Sequence, residues 1–431
     1  MADQAAHGAD QKEDGGAAKG AARLRRAERR QMELRPMALD ELISEDHLAR
    51  LVWDMVSCFD LSPLLDRVVA REGTAGHPQT DPHILVALWL YATIDGVGSA
   101  RELARLCEQH HAYRWLCGGV SVNYHTLSDF RVAHAAWLDA ELARGMASLL
   151  AAGQVSLQSV AQDGLRVRAA AGSSSFRRAP RLQAFLKLAQ DRVAQLKAEV
   201  ATDPAAQKAR RQAAATRAAN ERLSRVKAAL AALPAAQARK QRNKGDPARA
   251  RVSTTDAEAR VMKMPDGGFR PAFNVQLAAE TEHGLVVGVA VTNSGADQDA
   301  LDPMHRQVQV AYGRAPANWL VDGGYVSQAG IEQVADRGSK VYAPRGELYD
   351  NTSKAICAWR KRMRGKAGKK LYRLRGQTIE WVNAGVRQRG LYGVTVRGIA
   401  KVRAVALWHA LAHNISRILA KPELSAAFRA A

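Results

Sequence analysis

The sequence predicts a mixed α/β fold with three parts: an all-α N-terminal domain, a sheet-bearing C-terminal part, and a helical hairpin inserted into the sheet. Three observations carry this. Apolar residues recur at three and four spacing as far as about Ala152, as in LDELISEDHLARLVWDMV and PHILVALWLYATIDG. From about 155 the period drops to two: in QSVAQDGLRVRAAA, Leu165, Val167 and Ala169 fall on one side and Arg166 and Arg168 on the other. Between the strand-like segments lies a stretch, 181–249, almost free of Gly and rich in Ala, Arg, Gln and Leu. With 431 residues the chain is too long for one ordinary core.

In chain order, residues 1–36 are rich in Ala, Gly and charge and end in the basic cluster RLRRAERR, which predicts a flexible basic arm. Residues 37–152 form the helical domain, expected to serve DNA binding or assembly. Within it Ser99 opens a helix, Gly118 and Gly119 break it, and a second short helix starts near Thr126. His125, Ser128 and Arg131 then lie on a candidate helix-turn-helix reader of a DNA groove. Plain packing of a helical bundle explains the same pattern, and both readings stand at this point.

The sheet-bearing domain is assigned to 153–180 and 250–421, with a tail at 422–431. Its strands are expected in QSVAQDGLRVRAAA, GFRPAFNVQLAAE, HGLVVGVAVTN, ANWLVDGG and SKVYAPR. The insert at 181–249 should be a helical hairpin, interrupted at Thr202-Asp203-Pro204 and ended by Pro234, because proline lacks the N–H a helix needs.

Composition narrows the function. With 63 Lys and Arg against 42 Asp and Glu, the net charge of +21 favours a polyanionic partner, since fixed cations displace counterions from phosphates. Nucleic acid comes first and an anionic membrane surface second. No run of about eighteen uncharged apolar residues occurs, and the N-terminus lacks an apolar signal core, so a cytoplasmic location is expected, with no membrane partner. Cys58, Cys107, Cys117 and Cys357 show neither CxxC spacing nor a paired pattern. They are expected to be reduced and mostly buried. His409 and His413 stand four apart, but on an otherwise apolar helix without the glutamate of HExxH, so they are read as core histidines. No phosphate-cradling GxxxxGK[ST] loop is present.

In this basic chain, NWLVDGGYVS raises a question, because it places Asp322 at the end of an apolar run just before two glycines. A strand's C-terminal edge is where open sheets build ligand sites, and glycines let a ligand approach the backbone. Asp163 repeats the design, although Asp-Gly is also a common turn pair. A third element, YRLRGQTIEWVNAGVRQRG, should become helical after Gly376. At about 100° per residue Tyr372, Glu380 and Arg387 then share one broad face with Arg375 at its border. A metal ligand among phosphate contacts and a plain ion-pair network are both open.

These stretches together carry a resemblance. DGLRVRA at Asp163, STTDAEARVMKMPDGGFRPAFNVQ from Ser253, VDGGY at Asp322, and YRLRGQTIEWVNAGVR followed by GLYGVTVRGIAKVRAVALWHALAHNIS resemble bacterial insertion-sequence transposases of the DDE superfamily. The class is the one with a Tyr, Arg, Glu, Lys signature on an RNase-H-like core, and NYHTLSDFR resembles the domain placed before that core. The resemblance spans roughly residues 37 to 420. It implies Asp163, Asp322 and Glu380 as the catalytic acids and metal ligands, holding two Mg2+ or Mn2+ ions. Tyr372 and Arg375 match the first two signature positions, and Arg387 stands where the family has lysine, which keeps the charge and changes the donor geometry. Glu332, ten residues past Asp322, competes for the third acid, and Asp256 is a further candidate.

Such a chain would bind double-stranded DNA at transposon ends and target, as a homodimer or higher synaptic assembly, in association with the nucleoid. It would cleave and join DNA at inverted repeats. RKRMRGKAGKKLYRLR, residues 360–375, contains no acid and includes Lys369 and Lys370; it reads as a phosphate track or as a disordered basic loop. Two other functions remain: a DNA-binding regulator with an inactive transposase-derived fold, and a metal-dependent nuclease without strand transfer.

Overall fold

The computed structural model describes residues 30, 32, 36–71, 73, 77–202, 209–344 and 353–430. The basic arm expected at 1–36 falls almost wholly outside them. The described residues from Leu39 onward form one compact unit.

The N-terminal part is helical: α1 (Leu48–Ser57), α2 (Ser62–Leu65), α3 (Pro82–Ile94), α4 (Ala100–Gln109), α5 (His111–Cys117), α6 (Tyr124–Ala133) and α7 (Ala135–Ala151). Side chains at the boundaries explain the starts. The Asp81 carboxylate accepts from His83 N with Pro82 in the first turn, Ser99 accepts from Glu102 N, and Asn123 accepts from His125 N and Thr126 N. Gly118 takes the left-handed conformation, φ 55°, that closes α5. Helix α3 is apolar on every side and buried along nearly its whole length, as such a composition requires.

Strand β1 (Ser159–Arg168) centres a six-stranded mixed sheet. β2 (Phe176–Arg177) and β3 (Val252–Ser253) make a separate two-stranded ribbon; β4 (Arg260–Lys263), β5 (Phe269–Glu280), β6 (Val286–Thr292), β7 (Asn318–Leu320) and β8 (Lys340–Tyr342) join the main sheet. β5 runs antiparallel to β1, and its outer edge is shared by β4 and β6, both antiparallel. On the other side β7 is parallel to β1 and β8 to β7. α10 (Leu301–Tyr312) connects β6 to β7, and α11 (Gln328–Asp336) connects β7 to β8, the helical crossovers that parallel pairs need.

The insert is a pair of long helices, α8 (Ala179–Thr202) and α9 (Ala209–Arg242). Asp203 and Pro204 lie outside the described residues. Pro234 does not end the hairpin as the sequence suggested; α9 runs through it to Arg242. Pro234 is exposed, so the carbonyl one turn earlier that loses its donor can turn to water.

The C-terminal part holds α12 (Lys354–Arg364), α13 (Lys366–Arg375), a π-helical turn (Gly376–Glu380), α14 (Trp381–Gln388), α15 (Ile399–Leu419) and α16 (Pro422–Arg429). The acid-free stretch 360–375 is therefore helical over α12 and α13. The helix around Glu380 begins at Lys366, ten residues before the start read from Gly376, because Gly376 stays in the right-handed region, φ −61°, ψ −42°. α15 is buried for most of its length and packs on α3, α6, α7 and β6. One continuous apolar core thus runs from α1 through the sheet to α16. Cysteine burial differs from expectation: only Cys117 is buried, Cys58 and Cys107 are half-buried, and Cys357 is exposed, since its position on the amphipathic α12 faces outward. Among the described residues no helix is long and apolar enough to cross a membrane.

Candidate functional site

Asp163 lies in the middle of β1, paired across β5 with Leu277, and the strand continues to Arg168. The Asp-Gly pair is therefore no turn. Gly164 is required by crowding instead: a Cβ there would stand 2.6 Å from Asp297 Oδ1 and Gln276 Nε2. On the parallel side Ala161 pairs with Leu320, so continuing that register by two residues brings Asp322 beside Asp163. β7 stops at Leu320, and Asp322 caps the next turn, its Oδ1 accepting from Gly324 N at 2.8 Å.

The third acid arrives on the long helix. α13 and the π turn lie against β1, on the face toward which Asp163 points. Arg375 and Glu380 are five residues apart, about 140° around a regular α-helix, too far for contact. The i→i+5 bonding of the π turn removes that offset. Arg375 Nη1 meets Glu380 Oε1 at 3.3 Å, while its Nη2 stands 3.3 Å from Asp163 Oδ2 and 3.9 Å from Asp322 Oδ2. One guanidinium therefore touches all three acids predicted from the sequence.

Exposure grades the three carboxylates: Asp163 is 19% exposed, Asp322 41% and Glu380 65%. Burial raises the Asp163 carboxyl above its ordinary range, with Asp322 and Asp297 adding to it; Arg375 and the Gly164 N–H oppose this. Asn383 Nδ2 donates to Asp163 Oδ2 at 3.1 Å and fixes its orientation. Tyr372, one turn before Arg375, is half-buried and its hydroxyl is held protonated, first by burial and then by the charges of Asp322, Glu380 and Asp163, against the pull of Arg375.

Other expected residues stand apart. Arg387 is exposed on α14, two turns beyond Glu380 and on nearly the same face. Lys369 and Lys370 are exposed on α13. Arg131 is in the core: it is 8% exposed, its guanidinium lies 4.8 Å from the Trp89 ring centroid, and Nη1 donates to Gly98 O. Its neighbours His125 and Ser128 are exposed. Glu332 is bonded to Gln328 and Ser353 rather than to the cluster. Asp256 is buried and ties its own turn to Gly398 N at 3.0 Å. His409 and His413 are in the core, lowered by burial to about 3 and about 4.

Behind β1 lies a residue the sequence reading missed. Asp297, in the loop after β6, accepts from Asn274, Gln276 and Arg166 at 2.6, 2.8 and 2.8 Å. Gln276 also bonds Gln162 and Tyr325, and Gln162 accepts from Trp319 Nε1, so this buried network locks β1, β5 and β7 in register. Its one sequence signal is the polar alternation Gln162, Gly164, Arg166 on one face of β1.

Can this cluster hold a divalent cation? Among the described residues no three acids, histidines or cysteines form a ready metal cage. The donor set nevertheless fits in kind: three carboxylates from three elements already surround one cationic group, and hard oxygen donors suit Mg2+ or Mn2+.

Residues 37–133 match the family described as Transposase domain (DUF772), and residues 345–419 match the Transposase DDE domain. Together the two matches support an insertion-sequence DDE transposase. The second match contains Tyr372, Arg375, Glu380 and Arg387, and the first contains Arg131; Asp163 and Asp322 fall outside both. Neither a curated protein nor a solved structure gives a significant match.

Proposed function

We propose that this transposase cleaves DNA at the inverted-repeat ends of an insertion sequence and transfers the freed strand, with Asp163, Asp322 and Glu380 as its catalytic acids. The convergence of all three on Arg375 is the observation that carries the reading. The sheet supports an RNase-H-like core: three antiparallel strands in the order β6, β5, β1, then two parallel strands, β7 and β8. We assign 37–152 to DNA binding or assembly and 153–180 with 250–421 to catalysis.

Two divalent ions held by the three carboxylates would stabilise the attacking and leaving oxygens of an in-line displacement. The protein's own groups have separate tasks. Asp163 is fixed by Asn383 and the Gly164 N–H, so its free lone pairs point into the cluster. Arg375 holds the acids together in the free protein and is a bidentate donor for a scissile or terminal phosphate. Tyr372, kept protonated, donates a hydrogen bond beside it. Lys369, Lys370 and Arg387 extend the cationic helix face along the DNA backbone. Hydrolysis frees a 3′ hydroxyl at the transposon end, and that hydroxyl attacks a target phosphodiester. Two ends must be held together, which calls for a homodimer or larger synaptic assembly associated with the nucleoid.

The test is metal-dependent cutting of end duplexes. Asp322→Asn is expected to bind the ends and to lose cleavage in Mg2+ and Mn2+; unchanged cutting would remove Asp322 from the site. Glu380→Gln should match that loss while Glu332→Gln cuts normally. Wild-type protein that binds ends and never cuts them would be a regulator on a transposase-derived fold.

A further inference from the structure

A cavity at the root of the inserted hairpin plays no part in the chemistry above. It encloses ≈ 790 Å³, and Arg178, Arg239, Lys240, Arg249, Arg251 and Arg260 line it, with no acidic residue in its wall. Separate parts of the chain supply them. Arg178 immediately precedes α8, Arg239 and Lys240 come from the last turns of α9, Arg249 and Arg251 flank the return to β3, and Arg260 opens β4 on the main sheet. Six cations around one concavity repel one another, and the fold does little to neutralise them. Asp246 lies 3.5 Å from Arg249, but none of Arg178, Lys240 and Arg251 pairs with a carboxylate among the described residues. Arg239 is aimed by Asn293 O at 3.1 Å, and Arg260 by the carbonyls of Ala257 and Ala259. Such bonds position a guanidinium without cancelling its charge. Burial, with Arg239 adding to it, pulls Arg260 below the usual arginine range even though Asp256 and Glu258 oppose this, and its Nε is buried without a partner.

We infer that this cavity seats the phosphodiester backbone of the transposon-end duplex at a distance from the cut, which makes the inserted hairpin part of the DNA-binding surface. The inference rests on the proposed site at Asp163. Register gives the separation: Arg260 pairs with Ala272 and Ala272 with Arg168, five residues along β1 from Asp163. Five residues and two strand spacings place the cavity roughly 20 Å from that carboxylate. That is about six base pairs of rise, on the order of half a helical turn, so a duplex with one phosphate at the acids reaches the cavity. A free nucleotide suits the wall less well, because the one aromatic residue in it, Phe176, is buried and offers no face for a base.

The experiment uses the full chain and a short duplex carrying the terminal repeat. Wild type is compared with the triple variant Arg178→Ala, Lys240→Ala, Arg251→Ala and with Lys240→Glu alone, each checked by thermal melt. Three lost phosphate contacts should lower the slope of log K against log salt by about 2 to 3 and weaken binding at least roughly tenfold. Phosphate-ethylation interference about six base pairs from the cut should vanish in the triple variant. If the triple variant melts early, Lys240→Glu, a single change at a half-buried side chain, should show a smaller slope loss of the same sign. An unchanged slope and interference pattern in the folded variants would overturn the assignment. So would inorganic phosphate or a mononucleotide competing as strongly as the duplex, which would give the cavity to a small anion. Wild type that fails to bind or cut ends would instead sink the reading of the catalytic site, so the two failures are distinguishable.

Discussion

Asp163 sits where the fold disfavours a charge. Its carboxylate is mostly buried, stands beside two other acids, and is relieved by Arg375, Asn383 and one backbone N–H. Because burial raises its proton affinity above that of the unfolded chain, the native state gains stability by holding the proton at low pH. That gain is lost as pH rises through the native pKa. Asp163→Asn, which carries no charge, should therefore melt about 1–2 °C above wild type at pH 8, with the gap closing as pH falls, while metal-dependent cutting is abolished. A lower melting temperature for Asp163→Asn at pH 8 would mean that the pairing with Arg375 outweighs burial. That Asp163, Asp322 and Glu380 would meet was legible from residue context and resemblance, and they do meet at Arg375. Arg131 was not: its position on a short polar helix reads as a groove contact, whereas Trp89 and the Gly98 carbonyl hold it inside.

At the scale of elements, the helix from Lys366 to Gln388 decides whether Glu380 reaches the sheet. The extra residue between Arg375 and Glu380 is absorbed by the π turn, which keeps Thr378 and Ile379 buried on one side and the Arg375 pair on the other. Deleting the exposed Gln377 should therefore convert the π turn to regular α-helix, leave an i,i+4 ion pair, and retain the melting temperature within about 2 °C and the cutting activity. Deleting Lys370 instead would rotate the preceding turns by about 100° relative to their contacts on β1 and β8, and activity should be lost. Equal damage from both deletions, read by melt and by cleavage, would refute this role for the π turn. Periodicity at a fixed 100° could not reveal it, because the turn itself changes the period.

Over the whole molecule, α15 ties the N-terminal helices to the sheet, and Trp408 Nε1 donates to the Arg131 carbonyl at 3.0 Å across that junction. His409 and His413 sit in the same core, held neutral by burial at about 3 and about 4. Lowered native pKa values mean that the unfolded chain binds protons first, so stability falls as pH drops below the ordinary histidine value near 6.5. Each ring should cost about 2 kcal/mol by pH 5. Melting temperature measured from pH 7.5 to 5 should decline accordingly as one transition, with neither imidazole titrating by NMR in the folded protein over that range. A flat profile, or two separate melts for helices and sheet, would contradict this account of a shared core.

The sequence by itself determined the class of each segment, the basic charge of the chain, and which three acids are proposed for the chemistry. Those features are local: a change of period from 3.6 to 2, an aspartate after an apolar run, and an excess of cations are written in adjacent residues. Only tertiary structure decided that Asp163 lies mid-strand, that Pro234 is tolerated, that Asp297 braces the sheet from behind, and that cations from the hairpin and β4 enclose one cavity. Each of these depends on which distant residues meet, and pairing between strands more than a hundred residues apart leaves no period to read along the chain.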